Sequence, residues 1–142
     1  MFYIRSSLVP LLMALVGCAT VHSSIMRSAD NLGSSASTFA VDAGRDFPHA
    51  YEFSNQAGYF LETVDRASDR EVLSAYEHLW AEYHALRYEV EHSGNQHAVV
   101  DFKPVTQAFT HVARDIRGYA GADSALYARG GFQHDPYYDP NP

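Results

Sequence analysis

Eight histidines and a single cysteine are the side chains of this 142-residue sequence best suited to binding a metal or forming a covalent bond. Imidazole ligates transition metals and moves protons near neutral pH. A thiolate is a nucleophile or a point of attachment. Spacing decides among these uses. Two imidazoles on one helix share an ion when they stand four residues apart, and no two histidines here have that separation. Angles around the helix say where each points. With the apolar stripe of residues 72–90 at zero and about 100° per residue, His78, His84 and His92 fall at roughly 240°, 120° and 200°. His111 lies about 120° from the stripe of its own stretch. His22, His49, His97 and His134 fall at ends or in connections. The expectation is water-facing imidazoles and no metal site, with His84 and His111 left as the metal-ligand candidates.

Other chemical patterns are incomplete. Glu89-x-x-His92 has the carboxylate–imidazole spacing of di-iron bundles, but those sites need two such pairs and two further glutamates, all facing inward. The sequence holds one copy, and it faces outward. Haem attachment through Cys-x-x-Cys-His is missing, and so is a Gly-x-Ser-x-Gly nucleophile elbow. Acidic residues lie along outward faces, with Glu62–Arg66 and Arg87–Glu91 at the i,i+4 separation of helix surface pairs. No catalytic residue is assigned, no cofactor is expected, and the chain reads as a non-enzyme.

Cys18 has a clearer context. Arg5 precedes an apolar run over residues 8–16. About nine residues suit the apolar core of a signal peptide and are too few for a bilayer, which needs roughly 20. The run ends in Leu15-Val16-Gly17-Cys18. That motif resembles the lipobox of bacterial lipoproteins. The resemblance covers residues 1–18 and implies a signal peptide of residues 1–17, cleavage between Gly17 and Cys18, and a covalent lipid on the Cys18 thiol. Ala19, where an Asp would favour the inner membrane, implies the periplasmic face of the outer membrane. Several acyl chains anchor a protein durably where one does not. No second cysteine exists for a disulfide. Without Arg5, nine basic residues against 17 acidic ones give a net charge near −8, which argues against nucleic acid as a partner.

Past a short tether (18–20), four stretches carry apolar residues at alternating steps of three and four. They are Val21, Ile25, Ala29, Leu32, Ala36, Phe39 and Ala43; Ala50, Phe53, Ala57, Phe60, Val64 and Ala67; Val72, Tyr76, Leu79, Tyr83, Leu86 and Val90; and Phe102, Val105, Phe109, Val112, Ile116 and Tyr119. No stretch alternates with period two, so no strand is expected. Asp46, Ser68 with Glu71, and Asp101 are in place to cap the second, third and fourth helices. Gly94 can take a left-handed turn after the third. Residues 21–120 therefore predict an all-α, antiparallel up-down-up-down four-helix bundle. Its thin first helix faces aromatic-rich partners. Residues 121–142, rich in Gly, Pro, Asp and Tyr, predict a flexible tail. Phe132, Tyr137 and Tyr138 in that tail are candidate partner-binding residues, since aromatics are enriched in interfaces. The functional expectation is a non-catalytic, membrane-anchored periplasmic protein that binds another envelope protein. The alternative is a small-ligand or metal-handling bundle using surface or bundle-end histidines.

Overall fold

The computed structural model describes the backbone of residues 9–120 and the side chains of residues 22–119. The side chains of Gly17 and Cys18, and all of Phe132, Tyr137 and Tyr138, lie outside the described residues. The described chain is all-α, with no strand: α1 (Val9–Ala43), α2 (His49–Arg66), α3 (Asp69–His92), α4 (Gln96–Asp101) and α5 (Lys103–Ala120). Helix α1 starts earlier than the apolar spacing from Val21 marks. The Leu- and Ala-rich stretch before it is itself a good helix former.

The apolar stripes meet in one core. Every residue of the α3 stripe, Val72 through Val90, is buried, as are Ile25, Ala29, Leu32, Ala36 and Phe39 of α1. Contacts between neighbouring helices run in opposite senses. Between α2 and α3, Phe53 meets Tyr83 and Phe60 meets Tyr76. Tyr83 meets Phe102, in the turn just before α5, while Tyr76 stacks on Phe109 of α5. Phe39 near the end of α1 meets the same Phe102, and Ser24 Oγ–H donates to Asp115 Oδ2 of α5 at 2.9 Å. Each of these pairs is antiparallel.

Side-chain size sets the spacing. In α1 the large residues Ile25, Leu32 and Phe39 recur every seven, with alanines at 29 and 36 between them. That lets α1 lie close to both α2 and α5, whereas α3 and α5 approach less closely. They meet through rings instead: Tyr83 stacks on Phe109 with centroids 3.9 Å apart and planes within 5°. Interaxial distance follows the side chains at the contact.

Chemistry at the helix ends matches the sequence in two places. Ser68 and Glu71 form a capping box, with Ser68 N–H donating to Glu71 Oε2 at 2.9 Å. Gly94 has φ +69°, the left-handed turn after α3. Elsewhere the ends differ. Helix α2 starts at His49 with Pro48 at its cap and no side-chain cap bond, so Asp46 does not cap it. A short helix, α4, precedes the expected last helix, which is α5 and starts at Lys103. Asn95 Oδ1 accepts from the amides of His97 and Ala98 and starts α4, while Asp101 ends α4 instead of capping a helix. The turn falls at Phe102 because Pro104 has no N–H for the Val100 carbonyl, and its ring would crowd that oxygen. Arg66 pairs with Asp65 at 3.5 Å, not with Glu62. Arg87–Glu91 forms as spaced, at 2.7 Å.

Gly44 closes the α1–α2 turn, its N–H donating to Ala40 O at 3.0 Å. A Cβ there would collide with the Ala40 carbonyl and the Tyr51 ring. Gly44→Ala is expected to cost about 1–3 kcal/mol, the range for overpacking, read as a lower urea midpoint at unchanged slope.

Candidate functional site

Helix α2 begins where Pro48 sets the chain direction, so His49 stands at the first helical position, one turn before Glu52. On the antiparallel α3, Glu82 and Glu89 stand two turns apart and so share a face. The register that pairs Phe53 with Tyr83 brings these four residues together.

His49 Nδ1 lies 2.6 Å from Glu89 Oε1, and Nε2 lies 3.9 Å from Glu52 Oε2. His49, Glu52 and Glu82 each present one ligand atom, all within 4.8 Å of one another. The histidine side chain is 38% exposed, Glu89 26% and Glu52 65%. The cluster is a shallow rim, open on the Glu52 side and closed on the α3 side. The Oε2 atoms of Glu82 and Glu89 are shut off from water and have no hydrogen-bond partner. The hydrogen bond to Glu89 raises the His49 pKa above its ordinary value. Burial opposes this, and the charges of Glu89, Glu52 and Glu82 add to it. The imidazole therefore holds its proton to higher pH than a free histidine. The stability this gives is full below the unfolded value of 6.5 and fades as pH climbs through the raised folded one.

The site differs from the one the histidine pattern suggested. His84 packs against Trp80, with centroids 4.2 Å apart, and edge-on to Tyr83. His111 is exposed on α5. Among the described residues neither joins a group of three metal-ligating side chains. Glu89 and His92 do not act as a pair: Glu89 turns to His49, while His92 stacks on Tyr88 with Nδ1 2.9 Å from the Tyr88 carbonyl. The sequence places His49 at an end or in a connection, and in the structure it opens α2. The missing information was register. His49-x-x-Glu52 is visible in the sequence, but its opposition to Glu82 and Glu89 exists only once α2 and α3 pack.

Two tyrosine hydroxyls, of Tyr83 and Tyr119, are engaged between helices. The Tyr83 hydroxyl bonds to Thr106 and Arg87 at the α3–α5 interface, and burial raises its pKa. Arg87 in turn donates to Glu91. The Tyr119 phenol donates to Asp69, and burial with that carboxylate pushes its pKa far up. These groups hold helices together and present no open chemistry.

A second surface feature lies at the same end of the bundle. Val41 near the end of α1, Tyr51 in the first turn of α2, Tyr88 in the last turns of α3, and Val99 and Val100 on α4 are all exposed. No protein family, curated protein or solved structure matches this chain.

Proposed function

We propose that this chain is a non-catalytic lipoprotein, lipid-anchored through Cys18 at the periplasmic face of the bacterial outer membrane, that docks on another envelope protein. The Leu15-Val16-Gly17-Cys18 motif supports the anchor. Among the described residues no helix is long and apolar enough to cross a membrane. The observation that carries the docking role is the set of exposed apolar side chains at one end: Val41, Tyr51, Tyr88, Val99 and Val100. Exposed apolar groups gathered on one part of a surface mark interaction sites. From Cys18 to Ala43 the helix rises about 37 Å at about 1.5 Å per residue. The docking end can therefore stand up to about that distance from the lipid surface. Phe132, Tyr137 and Tyr138 supply further contacts from the C-terminal segment. The lipid on Cys18 is the covalent attachment, and the net negative charge argues against nucleic acid as a partner.

Two measurements test the reading. Cys18→Ser is expected to abolish lipid labelling and leave unprocessed precursor; normal maturation of that variant refutes the anchor. The tagged full chain, extracted in detergent, is expected to bring down one envelope protein in near-equal amount. Tyr51→Glu with Val100→Glu, both exposed changes, is expected to reduce that recovery at least tenfold with helicity unchanged. Undiminished recovery refutes the docking surface.

A further inference from the structure

We propose that the α2–α3 rim is a binding site for a divalent transition-metal ion, with His49 Nε2, Glu52 and Glu82 as ligands and Glu89 orienting the imidazole. The first support is the direction of the histidine. With Nδ1 2.6 Å from the Glu89 carboxylate, Nδ1 is the nitrogen that carries the proton. The lone pair of the neutral ring is then on Nε2, and Nε2 is the atom turned to Glu52. A carboxylate behind an imidazole in this way fixes the tautomer and raises its basicity toward a metal.

The second support is the orphaned carboxylate oxygens. Oε2 of Glu82 and Oε2 of Glu89 are removed from water without a hydrogen bond in return. An ionised oxygen left so loses its hydration uncompensated. A cation bound between Glu52 and Glu82 returns a counter-charge to this pocket. It also relieves the repulsion of three glutamates gathered about one imidazole.

The third support is reach. The three ligand atoms lie within 4.8 Å of one another. Bonds of about 2.0–2.2 Å at a tetrahedral ion require them roughly 3.3–3.6 Å apart. Glu52 is more than half exposed and can swing inward by changing rotamer, so no backbone movement is needed.

The donor set selects the ion. Imidazole with two carboxylates suits zinc and its first-row neighbours, while calcium and magnesium prefer all-oxygen sites. Two ligating carboxylates neutralise the ion's charge. Three protein ligands leave a coordination position open for water or for a group from a bound protein. This site is independent of the lipid anchor and of the docking reading.

The test uses the full chain in detergent, stripped with chelator and titrated with Zn2+ by calorimetry near neutral pH. One ion per chain is expected. His49→Gln is expected to weaken binding at least a hundredfold, and Glu82→Gln at least tenfold. Glu89→Gln is expected to weaken it by about 10–100-fold, the usual effect of losing an orienting carboxylate. His84→Ala and His111→Ala should bind as the unaltered chain does. Co2+ gives a readout that folding defects alone do not mimic: the ligand-field spectrum survives in Glu89→Gln at higher Co2+ and is lost in His49→Gln. Absence of stoichiometric Zn2+ binding overturns the site. So does undiminished binding by a folded His49→Gln variant, or loss of binding in His84→Ala or His111→Ala instead.

Discussion

Phe60→Ala is expected to remove about 3–5 kcal/mol of unfolding free energy, the range for truncating a buried phenylalanine. Phe60 is among the largest fully buried side chains, at 0% exposure. Its ring meets Tyr76, which stacks in turn on Phe109. Alanine leaves a void between α2 and α3, and the stacked rings beyond it cannot collapse without losing their own contact. Total stabilities are about 5–15 kcal/mol, so the loss is at least about a fifth of the total. Urea titration followed by circular dichroism measures the loss. Trp80→Ala provides the contrast: Trp80 is only partly buried against the same core, and a shift clearly smaller than that of Phe60→Ala is expected. Equal shifts would mean that ring burial does not set stability here.

Leu32→Ala is the second large effect, about 2–5 kcal/mol, and its loss is concentrated in one helix. The buried stripe of α1 holds only Ile25, Leu32 and Phe39 as large residues, with Ala29 and Ala36 between them. Removing the middle one leaves only Ser28, Ala29 and Ala36 fully buried between Ile25 and Phe39, with Met26 partly buried beside them. Most helical stability in a protein comes from packing of the apolar face, so α1 is expected to open locally. Native-state hydrogen exchange reads this directly. Amides of α1 should lose far more protection than those of α2 and α3. Uniform loss across all helices would show that α1 does not open independently.

Much of the architecture was written in local spacing. Apolar residues three and four apart marked every buried position of the α3 stripe, and the Ser68–Glu71 box and Gly94 marked its two ends. Such signals act within one helical turn and survive in any tertiary context. The errors came where two local signals competed. Asp101 was in place to cap the last helix, but Asn95 starts a short helix that takes in Asp101 and ends at Phe102, two residues before Pro104. Asp46 lost to a start fixed by Pro48. The site was less legible than the fold. His49 and Glu89 are 40 residues apart, and only the packing register of α2 on α3 puts them face to face. Angles on a single helix describe which way a histidine points, not what waits across the interface. His84 shows the converse: its flank position was readable, while its cover under Trp80 was not.

The hydroxyl of Ser24 and the carboxylate of Asp115 meet although 91 residues separate them. The first helix thus shares its interior side between the helix made next and the helix made last. During synthesis or export, α2 and α3 are free to pair early, while the rings of Tyr76 and Tyr83 wait for Phe109. The seat for α1 stays half built until Lys103 and the residues after it have emerged. Until then Ile25, Leu32 and Phe39 have one wall instead of two, and a chain stalled short of α5 is open to chaperones and proteases.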